Sequence, residues 1–214
     1  MALAPTSDSV RRKLKFDYLK ARNDPTFKSM DMLGTLLAHF LKPQLNIRDM
    51  IQEAANLIQK QFKLRYAMVG LKSMVDGFYY YEVNAGMRQD AWESQKVRKY
   101  RKEDFDLHTS SYNAAEVSKL TRVYLEEENP LGPTDMMVLN RPVLHGSRRK
   151  LDDDALEADF VDTLIVGPGE DLLGWIEYSG TITAKFPDAV TIRNIEIAAG
   201  ILAVALRSLG YARQ

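Results

Sequence analysis

The chain predicts an α+β fold in which a central antiparallel sheet carries helices on one face and a looped, partly helical lid over the other. Three stretches carry that expectation. Asp162 to Val166 and Leu172 to Tyr178 are short apolar runs hinged on Gly167-Pro168-Gly169-Glu170-Asp171, the pattern of a β-hairpin, and a long apolar helix follows them. Earlier, an amphipathic helix leads directly into a second pair of strand-like runs. Between the two hairpins, Met87 to Asp159 is long and irregular, which suits a cover over one sheet face better than a neutral connector.

Residues 1–9 are polar and read as frayed, and Val10 to Arg22 reads as a basic helical arm that ends near Asp24-Pro25. In the next helix Met32, Leu33, Leu36, Leu37, Phe40 and Leu41 recur at spacings of three and four before Pro43 stops it. A third runs from about Ile47 to Phe62, with Ile51, Ala54, Ala55 and Ile58 on one stripe. Arg65 to Ser73 and Gly77 to Gly86 then form strands around a Val75-Asp76-Gly77 turn. Strict alternation places Tyr79, Tyr81 and Val83 on one face, and Phe78, Tyr80, Glu82 and Asn84 on the other, more polar one, which is solvent or pocket.

The middle is expected to hold a basic helical run over Gln89 to Arg101, a helix near Ala114 to Lys119 and a short strand over Thr121 to Leu125. In the second hairpin, alternation sets Trp175 and Glu177 on one face against Gly174, Ile176 and Tyr178 on the other. Asp188 is the expected N-cap of the last helix. There Ile195, Ala198, Ala199, Leu202, Ala205, Leu206 and Leu209 make a stripe wider than one sheet needs, which suggests a partner helix from a second copy. The organisation read from this is a helical extension over 1–45 and a domain over 46–210.

Composition narrows the chemistry. Of 214 residues, 29 are Lys or Arg and 29 are Asp or Glu, so overall charge gives no reason to expect nucleic acid or a membrane surface. The absence of cysteine excludes disulfides, thiolate catalysis and cysteine-held metal clusters. The first residues lack the pattern of a secretion signal, and the apolar stretch Ile197 to Leu206 is too short to span a bilayer, so a cytoplasmic protein is expected.

The basic run Lys96 to Lys102 could hold phosphates but reads more simply as a solvated face. Asp152, Asp153, Asp154, Glu157 and Asp159 offer oxygen ligands without the spacing of a calcium loop, so no metal site is assigned. His39, His108 and His145 are scattered, with no spacing that supports ligation or proton transfer. No nucleophile elbow, phosphate-binding glycine loop or paired-histidine motif occurs, so no catalytic residue is assigned and an enzyme is not indicated. What remains is a set of aromatics with one cation and one anion, Tyr80, Arg122, Tyr124, Trp175 and Glu177, either the lining of a small-molecule pocket or rings packed under the lid.

The order of elements, with Asp162 to Val166, Gly167 to Asp171, Leu172 to Tyr178, Lys185-Phe186-Pro187 and the terminal helix as its carriers, resembles the GAF domain of sensory proteins. Lys119 to Tyr124 with Glu127, Asn129 and Pro130 is similar to a stretch of some bacterial and archaeal members. The resemblance covers about residues 47–209. It implies a GAF/PAS-like central antiparallel sheet, with the first and last helices on one face, a ligand pocket under the middle helices on the other, and dimerisation through terminal helices.

Departures from the family limit what carries over. Without cysteine the chain can neither attach a bilin through a thioether nor be the GAF-type reductase of free methionine sulfoxide, and the Asn-Lys then Phe-Asp-Glu signature of cyclic-nucleotide binders is missing. No cofactor is named. The 45-residue extension is too short for an output enzyme, so the expectation is a non-enzymatic sensor. It binds an unidentified small molecule under its lid and acts as a homodimer on a separate signalling protein. The alternatives are a ligand-free dimeric scaffold and a regulator associated with nucleic acid through Arg11, Arg12, Lys13, Lys15 and the Lys96 to Lys102 run.

Overall fold

The structure, a computed structural model, describes residues 6–22, 24–42, 46–132 and 135–211. Three helices open the chain, and each starts on a side-chain cap. Thr6 caps α1 (Ser7–Ala21), Asp24 caps α2 (Pro25–Phe40) with Pro25 in its first turn, and Asn46 caps α3 (Ile47–Gln61). Each cap accepts a backbone N–H that the first turn cannot otherwise satisfy. The arm therefore starts earlier than the basic run suggested, at Ser7, while residues 1–5 and Pro43 lie outside the described residues.

α1 buries none of its residues, whereas α2 buries Ser29, Met32 and Leu36 and packs against α3. Leu36 joins the same apolar core as Met50, Ile51 and Ile58 of α3. The second half of the 1–45 extension thus shares its core with residues 46–210.

Seven antiparallel strands follow: β1 (Ala67–Lys72), β2 (Tyr79–Ala85), β3 (Lys99–Tyr100), β4 (Ala115–Glu116), β5 (Thr121–Tyr124), β6 (Phe160–Val166) and β7 (Leu172–Tyr178). Their order across the sheet is β3-β2-β1-β7-β6-β5-β4, so the two hairpins meet at β1 and β7 in the centre. Directly opposed residues of an antiparallel pair share a face. The register Met68↔Glu177, Asp162↔Glu177 and Arg122↔Asp162 therefore lines up one row across four strands.

The sheet's helical face is aliphatic. α5 (Ala189–Ser208), capped by Asp188, lies there with α3, and Ile195, Ala198, Ala199, Leu202, Ala205 and Leu206 are buried. The stripe read as surplus is consumed in the core, with Leu209 alone of the set exposed. A different line of apolar residues, Val190, Ile197 and Val204, faces outward. At 20 residues α5 is long and apolar enough to cross a membrane, and its buried face marks it as the core helix of this fold.

Two expectations for the middle change. The basic helix is shorter, α4 (Gln89–Gln95), and the chain then turns into β3. Ala114 to Lys119 holds no helix: Ala115 and Glu116 pair with Val123 and Arg122 as an edge strand. A run that short gains little from an isolated helical turn, and pairing with β5 satisfies its backbone instead.

A β-bulge changes the face assignment in β2. The register runs Val69↔Val83 and then Gly70↔Tyr81, leaving Glu82 as the extra residue. Val83 and Ala85 join the helical core, whereas Tyr79 and Tyr81 turn to the lid. Strict alternation put Tyr79, Tyr81 and Val83 together; the bulge separates them.

Candidate functional site

The lid-facing side of β1, β2, β6 and β7 is as aromatic as the other side is aliphatic. Trp175 projects from the middle of β7 toward Gly70 on β1, and a methyl group built on Gly70 would lie 2.1 Å from the indole. Gly70 is therefore what allows the indole to lie close over the strand. Ring centroids of Tyr81, Phe105 and Tyr100 stand 4.7, 4.9 and 5.6 Å from that of Trp175. These edge and tilted contacts are the favourable arrangements of aromatic quadrupoles.

Beside this cluster is a cavity of about 100 Å³, lined by Tyr66, Tyr81, Tyr100, Tyr124, Trp175 and Phe160 together with the carboxyls of Asp162 and Glu177. One water needs roughly 10–15 Å³ of such space, so several waters or one small organic molecule fit. Glu177 accepts from the Tyr66 hydroxyl at 3.2 Å and from the Tyr81 hydroxyl. Asp162, its cross-strand neighbour, is buried with Oδ1 lacking any hydrogen-bond partner. Gln95 of α4 also borders the cavity, and its buried Oε1 is likewise unpaired.

Both carboxyls are raised above the usual carboxylate range. Burial is the main cause for Glu177, pushed up to about 7 against the opposing pull of the Tyr81 and Tyr66 hydroxyls. Asp162 is raised well above its ordinary value by burial and by the Glu177 charge, partly offset by Arg122 and by the nearby Tyr124 hydroxyl. Two buried carboxyls abreast on neighbouring strands disfavour each other's ionisation. Chemically, the site offers unpaired hydrogen-bond acceptors.

The lid is tied down by buried charge. Arg65, just before β1, donates to Glu157 at 2.9 Å and to the Leu156 carbonyl at 2.8 Å. Glu157 also accepts from the Arg141 backbone at 2.6 Å. Asp159 accepts from Arg149 at 3.0 Å, from the Glu126 N–H at 2.8 Å and from the Leu156 N–H at 2.6 Å. On the α4 side, Arg98 is held by Asp135 at 2.6 Å.

No protein-family model and no curated protein sequence matches the chain. Solved structures do. The GAF domain of a phosphoenolpyruvate-protein phosphotransferase from Coxiella burnetii is 16% identical, with a TM-score of 0.55 over 87% of this chain and 98% of that one. The GAF domain/HD domain protein from Geobacter sulfurreducens is 11% identical, with a TM-score of 0.55 over 81% and 100%. The phycoerythrobilin-bound GAF domain of a cyanobacterial phytochrome is 10% identical, with a TM-score of 0.54 over 87% and 98%.

The chain has a GAF-like fold.

Within this GAF-like sheet, three of the five residues singled out from the sequence come together: Tyr124, Trp175 and Glu177 all line the cavity. Arg122 is opposite Asp162 in the register, yet it lines the adjacent open basin of about 1070 Å³. Tyr80 is not on the cavity wall. It pairs with Leu71, which belongs to the helical core, and its hydroxyl donates to Asp76 at 2.7 Å, closing the β1–β2 turn.

Sequence reasoning missed Asp162, Tyr66 and Tyr81. For Asp162 a signal was available: a carboxylate inside the apolar run Phe160 to Val166, at the position that faces Glu177. Part of each charged run set aside as bland is engaged. Asp153 and Asp154 both meet Lys185 at 2.7 Å, and Lys99 lies over the Phe78 ring at 4.4 Å. Among the described residues, no three His, Asp or Glu side chains converge as metal ligands.

Proposed function

We propose that this chain is a sensory GAF-like domain, not an enzyme, that binds a small molecule in the cavity under its lid. Occupancy is relayed through terminal helices paired in a homodimer to a separate signalling protein. The observation that carries this reading is the cavity itself: aromatic walls around a buried carboxyl with an unpaired oxygen. A buried polar atom without a partner costs roughly 1–3 kcal/mol, a cost that a ligand completing its hydrogen bond removes. Stacked rings with few polar groups suit orientation and recognition more than group transfer.

The dimer reading rests on two apolar lines that the fold leaves outward. α2 exposes Met30 and Leu37, with Leu41 just past its end, and α5, packed beside it, exposes Val190, Ile197 and Val204. Self-complementary pairing of such faces is the simplest cover. A lid held to the sheet by ion pairs, with helices behind the same strands, gives ligand-dependent ordering a route to that face.

Native mass spectrometry of freshly purified protein tests both parts. A dimer carrying extra small-molecule mass is the expected result, and a bare monomer would contradict it. A bare dimer would favour a second reading, that of a scaffold whose Trp175, Tyr81, Tyr100 and Phe105 rings fill the space under the lid.

A further inference from the structure

The charges lining the cavity do not balance. Arg98 is engaged by Asp135 at 2.6 Å, Glu157 by Arg65 at 2.9 Å and Arg141 at 3.2 Å, and Asp104 accepts from the Arg101 N–H at 2.7 Å. Asp162 and Glu177 are left. Tyrosine hydroxyls serve Glu177, but among the described residues no lysine or arginine forms an ion pair with either carboxyl. The two unpaired buried atoms bordering the cavity, Asp162 Oδ1 and Gln95 Oε1, are both acceptors. What the site lacks is a donor carrying positive charge.

The walls suit the same occupant. Tyr81, Tyr100 and Trp175 offer ring faces and edges within one cluster, and a cation above such rings is attracted by their quadrupoles. An anion would meet two carboxyls and a set of π-faces, and a neutral molecule would leave the charge of their ionised form unmatched. A volume of about 100 Å³ restricts the occupant to a few non-hydrogen atoms.

We infer that the ligand of this cavity is a small protonated amine, its N–H groups donating to Asp162 and Glu177 and its alkyl part enclosed by the rings. The inference rests on the sensory reading above and gives its ligand a chemical class. The charged and titratable groups facing the pair are Tyr66 just before β1, Tyr81 from β2, Tyr100 from β3 with Arg98 beside it, and Arg122 and Tyr124 from β5. Burial raises Glu177 to about 7, and a bound ammonium competes with its proton.

Isothermal titration of the full chain with four matched probes tests this: n-butylammonium, tetramethylammonium, butan-1-ol and butyrate. At pH 8, n-butylammonium is expected to bind at least tenfold more tightly than butan-1-ol, with tetramethylammonium between them because it cannot donate. Affinity is expected to fall about tenfold on going to pH 6. Asp162→Asn and Glu177→Gln, each near-isosteric and checked for an unchanged cooperative urea transition, should each weaken n-butylammonium at least tenfold. Exposed Glu170→Gln, on the β6–β7 turn, should not. Equal or tighter binding of butan-1-ol or butyrate would overturn the amine and leave the sensor reading standing. Silence from all four probes would also overturn the amine, and the mass of any retained ligand would then decide the sensor reading separately.

Discussion

The two faces of this sheet are built from the same strands and differ in what they bury. Behind it, α2, α3 and α5 cover a continuous aliphatic surface, with Leu36, Met50, Ile58, Ile176 and Leu202 fully enclosed. In front, the lid covers Trp175, Tyr79, Tyr81 and Phe105, together with two carboxyls. Burial at the back stabilises the fold directly at roughly 25 cal/mol per Å² of apolar area. At the front part of that gain is offset by desolvating Asp162 and Glu177. The comparison teaches that a GAF-like sheet can keep one side for stability while burying unmatched polar groups on the other.

The largest expected effect lies at the back. Leu202→Ala removes a fully buried side chain of α5 between helix and sheet, and should cost about 2–5 kcal/mol in urea unfolding. A loss below 1 kcal/mol would mean that this face does not carry the stability.

The front should respond in the opposite sense, and to pH. Folding raises Glu177 from its ordinary 4.5 to about 7, so between those values the folded protein binds more protons than the unfolded chain. Stability therefore falls as pH rises through that window and levels off above it. Glu177→Gln removes this contribution: little difference is expected below pH 4.5, with a relative gain of up to about 3 kcal/mol at pH 8. Paired urea melts across pH 4–8 measure it, and parallel curves for the two proteins would refute the assignment.

Gly70→Ala sharpens the comparison at the point where the faces are back to back. The added methyl meets the Trp175 ring, so the indole must shift, at about 1–3 kcal/mol and with a change in tryptophan emission. The smallest effect is expected for α1, which buries nothing. A chain beginning at Asp24 should keep its urea midpoint, and a marked drop would reveal a packing role for the arm.

Much of this architecture was legible because it rests on period. The helical stripes of α3 and α5, the β1–β2 and β6–β7 hairpins, and the placement of Trp175 opposite in sense to Ile176 follow from spacings of 3.6 and 2. Tyr80 and Tyr81 were exchanged because one bulged residue, Glu82, inverts the alternation, and no propensity in Tyr79 to Val83 announces it. Asp162 stands out in sequence as a carboxylate inside an apolar run, but its pairing with Glu177 comes from register. The lid was legible as a lid but not in its elements. Its short pieces are fixed by distant partners such as Arg65 with Glu157 and Arg98 with Asp135, not by local preference.

The proposed ammonium would stabilise the ionised form of the desolvated Asp162–Glu177 pair on the front face. Carbon-13 NMR of the Glu177 side-chain carboxyl, followed over pH 3–9 with and without n-butylammonium, addresses it at the atom concerned. A midpoint near 7 in the free protein, moving to lower pH when the amine is present, is the expected result. A midpoint near the ordinary 4.5, unmoved by the amine, would contradict it.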